Sequence, residues 1–304
     1  MSALPQTAPP AIAGGNPNRG ETLAQTTKRW LSNTGISIGG AIFLFVLFAT
    51  LIGPFLLPHD AYSQQLVARL RPPAWDTGDW EHILGTDHLG RDYLARLLTG
   101  GRTSLLIAFC TIIIAGIFGT ALGVLAGFYG GRVDFIVRFV IMTRLALPTV
   151  LIALAVVFIA GPSLHLLIIV LGMLLWDRFA VVARATTLQL RNSEFVVAAR
   201  AIGCSDFTII RRDILPNIVN QLTVIATVEL ANAVLIASAL SFLGLGVQPP
   251  LADWGLMIAE GKEYLLFSPY LIALPGLAMM VLVLSVNLLG DGIRDVTDPE
   301  AKGR

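Results

Sequence analysis

The sequence predicts an all-α polytopic membrane protein with six transmembrane helices and both termini in the cytoplasm. Three observations carry this. Of 304 residues, 55% are hydrophobic and only 13% charged, about half the charge of a soluble domain. Mean hydropathy is +0.74. The charges also cluster, leaving apolar stretches that read as six spans. The formal net charge of +1, with no basic stripe outside the inner-side arginines, predicts no nucleic-acid partner. Cys110 lies in an apolar run and Cys204 in a polar one, so no disulfide framework is expected.

Residues 1–30 are rich in Pro, Ala, Gly, Thr and Asn and read as a disordered cytoplasmic tail before a single transmembrane domain, 31–304. No charged start precedes an apolar core in the first thirty residues, so a cleaved signal peptide is not expected. Lys28-Arg29-Trp30 is a basic, aromatic anchor for span one, 36–57. Residues 58–101 are polar and more acidic than basic, which suits the outer side. His82, Asp87, His88 and Asp92 in this loop have the residue types of a metal site. Arg91 would compete for either aspartate, and no metal site is expected.

Span two, 103–128, carries Gly116, Gly119, Gly123 and Gly127, a small-residue stripe that lets another helix approach closely. After the turn Gly127–Asp134 comes span three, 134–159, with Arg144 and Pro148 inside it. Span four, 164–187, has an apolar run ending at Trp176-Asp177-Arg178 and continues as a helix toward the cytoplasm. Span five, 218–242, carries Glu229 and Asn232. Ser241–Gly255 ends it with glycines and a proline pair and starts an outer loop, and span six, 268–289, leads to a charged inner tail.

The segment 190–217, LRNSEFVVAARAIGCSDFTIIRRDILPN, cannot sit in hydrocarbon with seven charged residues in it, because each would cost roughly 3 kcal/mol at mid-membrane. Phe195, Val196, Ala199 and Ile202 can share one helical face, which Gly203 terminates. Ser205-Asp206 can cap a second short helix, constrained at its far end by Pro216. A small-residue face of Ala198, Ala199, Ala201 and Gly203 suits close docking.

The order Ala198-Ala199, three residues, Gly203, then Leu215-Pro216 resembles the EAA loop of ABC-importer permeases. HILGTDHLGRD (82–92), GFYGGRVD (127–134) and SFLGLGVQPPLADWG (241–255) resemble, in the same order, blocks of the dipeptide, oligopeptide and nickel branch, second permease subunit type. The motif's first glutamate is Val197 here and its isoleucine Asp213. The resemblance implies a type I ABC-importer permease fold and a cytoplasmic coupling loop in which Glu194, Ala198, Ala199, Gly203, Leu215 and Pro216 meet an ATPase. It implies a heterodimer with a paralogous permease, two ATPase subunits or one fused ATPase, and an extracytoplasmic binding protein. No cofactor is expected on this chain, with ATP and Mg on the partner subunits. The chain has no Walker A sequence and no Ser/His/Asp set on one surface, so it is not expected to be an enzyme. Cargo is expected to be peptide, with nickel or another small solute as the alternative. A stand-alone secondary transporter would need acids in the spans and no docking loop.

Arg144 and Glu229 are charged residues inside spans three and five. Relatives carry an acid about six residues before Pro148, where this chain has Met142, and another a turn before Ser241, where it has Ile236-Ala237. At 1.5 Å per residue both Arg144 and Glu229 stand ~15–17 Å from the inner face. With Asn232 they are candidates for the translocation path, expected to pair with each other or to bracket a zwitterionic cargo.

Overall fold

The computed structural model describes residues 30, 32–78 and 80–297; apart from Trp30, the expected tail lies outside them. The described residues are helical without a β-strand. Five helices are long and apolar enough to cross a membrane, and a bent pair brings the number to six if it forms one span.

Helix α1, Thr34–Leu56, is capped by Asn33, whose Oδ1 accepts from the Ile36 N–H at 3.1 Å. It turns Phe45, Phe48 and Phe55 outward, as a lipid-facing helix does. A short helix α2, Ala74–Thr77, lies in the connection to α3, Tyr93–Tyr129, which starts at an Asp92 cap ten residues before the predicted span. The glycine stripe of α3 faces α7 (Trp176–Leu190). A Cβ on Gly119 would stand 2.2 Å from the Trp176 carbonyl oxygen, and one on Gly123 2.4 Å from that of Ala180. Gly116 has only the Phe179 ring in front of it, at 3.6 Å, so the close approach begins one turn later than the spacing suggested.

Span three is not one helix. Helices α4, Gly131–Leu145, and α5, Thr149–Ala160, meet at 84°. Pro148 has no N–H and drives Leu147 away from helical angles, which ends α4. Span four is interrupted as well, by residues 173–175 between α6, Leu164–Gly172, and α7.

Helices α8, Glu194–Ala201, and α9, Asp206–Ile209, follow α7. The second short helix does not stop before Pro216. It passes through a π turn, Ile210–Ile214, into α10, Leu215–Phe242. The widened turn bonds the Leu215 N–H to the Ile210 carbonyl and accommodates Pro216 at the start of α10 without interrupting the helix. Past the Ser241–Gly255 block, a helix the sequence did not signal, α11, Trp254–Gly261, packs against α10 and α12. Helix α12, Tyr270–Thr297, runs eight residues beyond the predicted span and lies along α1.

Candidate functional site

The breaks in spans three and four are tied together by one side chain. Arg144, in the last turn of α4, donates from Nη1 to the Leu147 carbonyl at 3.2 Å and from Nη2 to Thr149 Oγ1 at 2.9 Å. Nη2 also reaches the Leu174 carbonyl, in the other break, at 2.5 Å. Carbonyls freed by two helix ends thus share a guanidinium, and a cation at a helix C-terminus is the sign the helix dipole favours.

Beside this knot is a cavity of about 320 Å³. Arg144, Thr149, Asp177, Arg178, Glu229 and Asn232 supply its polar wall. Glu229 is 1% exposed and accepts from Asn232 Nδ2 at 3.3 Å. Its ionic partner is Arg178, with Nη1 at 3.1 Å from Oε1. Of the two expected arrangements, the direct Arg144–Glu229 pair is not the one formed: both line one cavity, but Arg144 is held by two backbone carbonyls and the Thr149 hydroxyl. Arg178 and Asp177 open α7, immediately after the second break. Sequence reading placed them at the end of an apolar run and so missed them. The signal was the run itself, since α6 and α7 together are one span, Leu164–Leu190, with the charged pair in its middle.

The second candidate region is the segment from α8 to α10. Val196, Ile209, Ile214 and Ile218 are fully buried against Val124, Phe128 and Ala183. Arg200 stacks over the Phe128 ring at 4.8 Å, and Arg191 donates to the Gly127 carbonyl at 3.2 Å. Arg184 grips Asp134 with two hydrogen bonds. The helical face differs from the expectation. Val196 and the half-buried Ala199 point inward, whereas Phe195 and Ile202 are exposed, together with Val197 and Phe207. Glu194, Ala198, Gly203 and Pro216 are exposed as well, and Leu215 is half-buried. Gly203, at φ +84° and with open space on the side where a Cβ would project, closes α8. The Cys204 N–H returns to the Ala199 carbonyl at 3.0 Å. Small residues and large apolar ones therefore share one outward surface, firmly backed by spans two and four.

At the opposite end of α3, Asp87, Arg91, Arg96 and Glu260 form a buried ion cluster, with Asp87 Oδ2 at 2.6 Å from both Arg91 Nε and Arg96 Nη1. Burial pushes the Asp87 carboxyl up, but Arg96, the N–H groups of Arg91 and Leu89, and the Arg91 guanidinium together hold it below the ordinary carboxylate range.

A helical bundle with an anchored amphipathic segment at one end, broken helices and a charged cavity beside the breaks has a counterpart among known proteins. The family described as the binding-protein-dependent transport system inner membrane component matches residues 119–303, and the N-terminal transmembrane domain of oligopeptide transport permease C matches 22–73. The chain belongs to the binding-protein-dependent inner-membrane transport components. It is similar to the di/tripeptide transport system permease protein DppC of Pseudomonas aeruginosa, 39% identical over 88% of each chain. It is also similar to the probable D,D-dipeptide permease DdpC of Escherichia coli, at 34% over 90% of this chain and 91% of that one. The glutathione permease GsiD of Pectobacterium atrosepticum is 35% identical over 88% of each. Among solved structures, an inward-facing MetNI methionine ABC transporter contains a chain that aligns at TM-score 0.55 and 18% identity, covering 67% of this chain and 97% of that one. The protein is thus a multi-pass inner-membrane permease subunit of ABC importers, not an enzyme, and the family implies a partner ATPase and a substrate-binding protein.

Proposed function

We propose that this chain forms half of the path by which short peptides enter the cell, paired with a paralogous permease. In this reading ATP and Mg are bound by separate ATPase chains. The observation that carries the reading is the cavity. Two acids, Asp177 and Glu229, and two guanidiniums, Arg144 and Arg178, meet around about 320 Å³ at the junction of broken helices. A zwitterionic peptide can exchange into such a set, its ammonium replacing Arg178 at Glu229 while its carboxylate takes up the released guanidinium. Because Arg178 is 58% exposed along its side chain, it can swing without unfolding α7. Relatives that carry dipeptides, tripeptides and glutathione in their names support a cargo of this kind. The surface of Phe195, Val197, Ala198, Ile202, Gly203 and Phe207 is the ATPase docking face, which puts that end of the bundle and both termini in the cytoplasm.

The test is uptake of a labelled dipeptide by cells lacking the native gene and complemented with variants. Arg178→Glu and Glu229→Arg are each expected to lower uptake at least ~10-fold, since each leaves two like charges facing in a poorly hydrated site. The double exchange is expected to restore much of it. Normal dipeptide uptake by both single variants, or uptake of nickel but no peptide by the wild type, would overturn the proposal.

A further inference from the structure

At the end of α3 remote from the docking face, two histidines face one carboxylate. Asp92 caps α3 with Oδ1, which accepts from the Ala95 N–H at 2.8 Å. Its Oδ2 lies 2.9 Å from His82 Nδ1 and 4.0 Å from His59 Nδ1. The two imidazole rings are 4.7 Å apart between centroids. His82 is only 4% exposed, and its Nε2 is buried without a hydrogen-bond partner. An unmet buried polar atom costs about 1–3 kcal/mol, so it calls for an explanation. Glu81, the preceding residue, brings a carboxylate to the same place. The ligand atoms of His59, Glu81 and His82 all lie within 4.8 Å of one another.

We propose that His59, Glu81 and His82 bind one divalent first-row transition metal ion of the Zn²⁺ kind, with Asp92 as the carboxylate that orients His82. Two imidazoles and a carboxylate are a three-ligand zinc set that leaves a fourth position for water. They disfavour Ca²⁺ and Mg²⁺, which take all-oxygen shells. With Nδ1 of His82 directed at Asp92, Nε2 is the nitrogen left for a ligand, and a carboxylate behind a ligating histidine both fixes the ring and strengthens it as a donor. Ligands 2.0–2.1 Å from a tetrahedral ion stand ~3.4 Å apart, so atoms now within 4.8 Å of one another must close by up to ~1.4 Å. The movable partners can do this: His59 and Glu81 have side chains 27% and 54% exposed, while buried His82 supplies the fixed point. The Arg71 guanidinium, 2.9 Å from Glu81 Oε2, competes only weakly with a metal ion, because an exposed ion pair contributes about 0–1 kcal/mol.

A second trio, Asp87, His88 and Glu260, also converges, but it differs in one respect. The buried guanidiniums of Arg91 and Arg96 already contact its carboxylates, Arg96 at 2.7 Å from Glu260 and 2.6 Å from Asp87. The place of a cation is taken there. At His59 the ion would instead staple the chain just past α1 to the start of α3, fixing the outer ends of two spans against each other.

The test is zinc titration of the full chain in lipid nanodiscs, purified without a histidine tag, in competition with a chromophoric chelator, with bound metal counted by elemental analysis. One Zn²⁺ per chain is expected, undisturbed by millimolar Mg²⁺. Asp92→Asn keeps the helix cap but lowers the donor strength behind His82, and should weaken binding ~10–100-fold. His59→Ala and His82→Ala should weaken it further, and Glu81→Gln should weaken it too, while His88→Ala and His165→Ala should leave it unchanged. Should His82→Ala fail to fold, His59→Ala and Glu81→Gln still decide, since both act on partly exposed side chains. Zinc uptake by the wild type no greater than by His59→Ala, or affinity unaltered in both His59→Ala and Glu81→Gln, would overturn the site.

Discussion

Asp253 caps α11 from inside the protein. It is 1% exposed, and its Oδ1 accepts from the Leu256 N–H at 3.0 Å. Burial pushes its carboxyl up to about 6, against the opposing pull of the Leu256 and Gly255 N–H groups and the Ser241 hydroxyl. The sign follows directly. A carboxyl raised from 3.8 to about 6 holds its proton longer in the folded state than in the unfolded one, so stability falls as pH climbs through that window and the full penalty stands above it. Asp253→Asn keeps the cap and removes the charge. It should raise the melting temperature in detergent at pH 7.5, by an amount corresponding to roughly 2–3 kcal/mol at most, and have little effect at pH 3.5. An equal shift at both pH values would refute the assignment. Residues of this kind were the hardest to read in the chain. Glu229 stood out as a charge in an apolar run, yet nothing in its spacing named Arg178 as partner, because their contact joins α10 to α7 across fifty residues of chain.

At the scale of elements, glycine and proline told part of the story. Gly119 and Gly123 touch α7 backbone, so Gly123→Ala must push Ala180 aside, whereas Gly116→Ala meets only a ring at 3.6 Å. Gly123→Ala is expected to destabilise the protein by about 1–3 kcal/mol and Gly116→Ala by well under 1, measured as the melting temperature of purified protein. Comparable losses would mean that α3 and α7 do not meet along the stripe described. The prolines show why helix breaks were less legible. Pro54 and Pro275 lie inside continuous helices, and Pro216 is absorbed by a π turn. Only Pro148 severs a span. What distinguishes it is tertiary: Arg144 is present to take the Leu147 and Leu174 carbonyls, a partner that local sequence does not announce. The apolar stretches of the spans, by contrast, were legible because hydrocarbon demands length and composition rather than particular neighbours. Helix α11 was hidden for the same reason in reverse. It is eight residues long, too short for periodicity to separate from a loop rich in glycine and proline.

Across the whole molecule, the segment proposed to dock an ATPase and the cavity are parts of one continuous piece. From Asp206 through the π turn to Glu229, the chain stays helical, a reach of ~35 Å at 1.5 Å per residue. In the proposed reading, movement of this face reaches Glu229 only if the face is rigidly backed. The backing is the buried set Val196, Ile209, Ile214 and Ile218 against Phe128 and Val124. This separates two classes of variant. Ile202→Ala with Phe207→Ala strips exposed apolar area from the face and should reduce copurification of the ATPase, so that hydrolysis and transport fall together. Ile209→Ala leaves the face intact but empties a fully buried position, loosening the anchor by about 2–4 kcal/mol. The ATPase should still copurify and hydrolyse ATP, while peptide transported per ATP consumed drops. Measuring both quantities in proteoliposomes of the assembled importer tells the classes apart. If Ile209→Ala transports as much peptide per ATP as the wild type, the movement does not pass through this anchor.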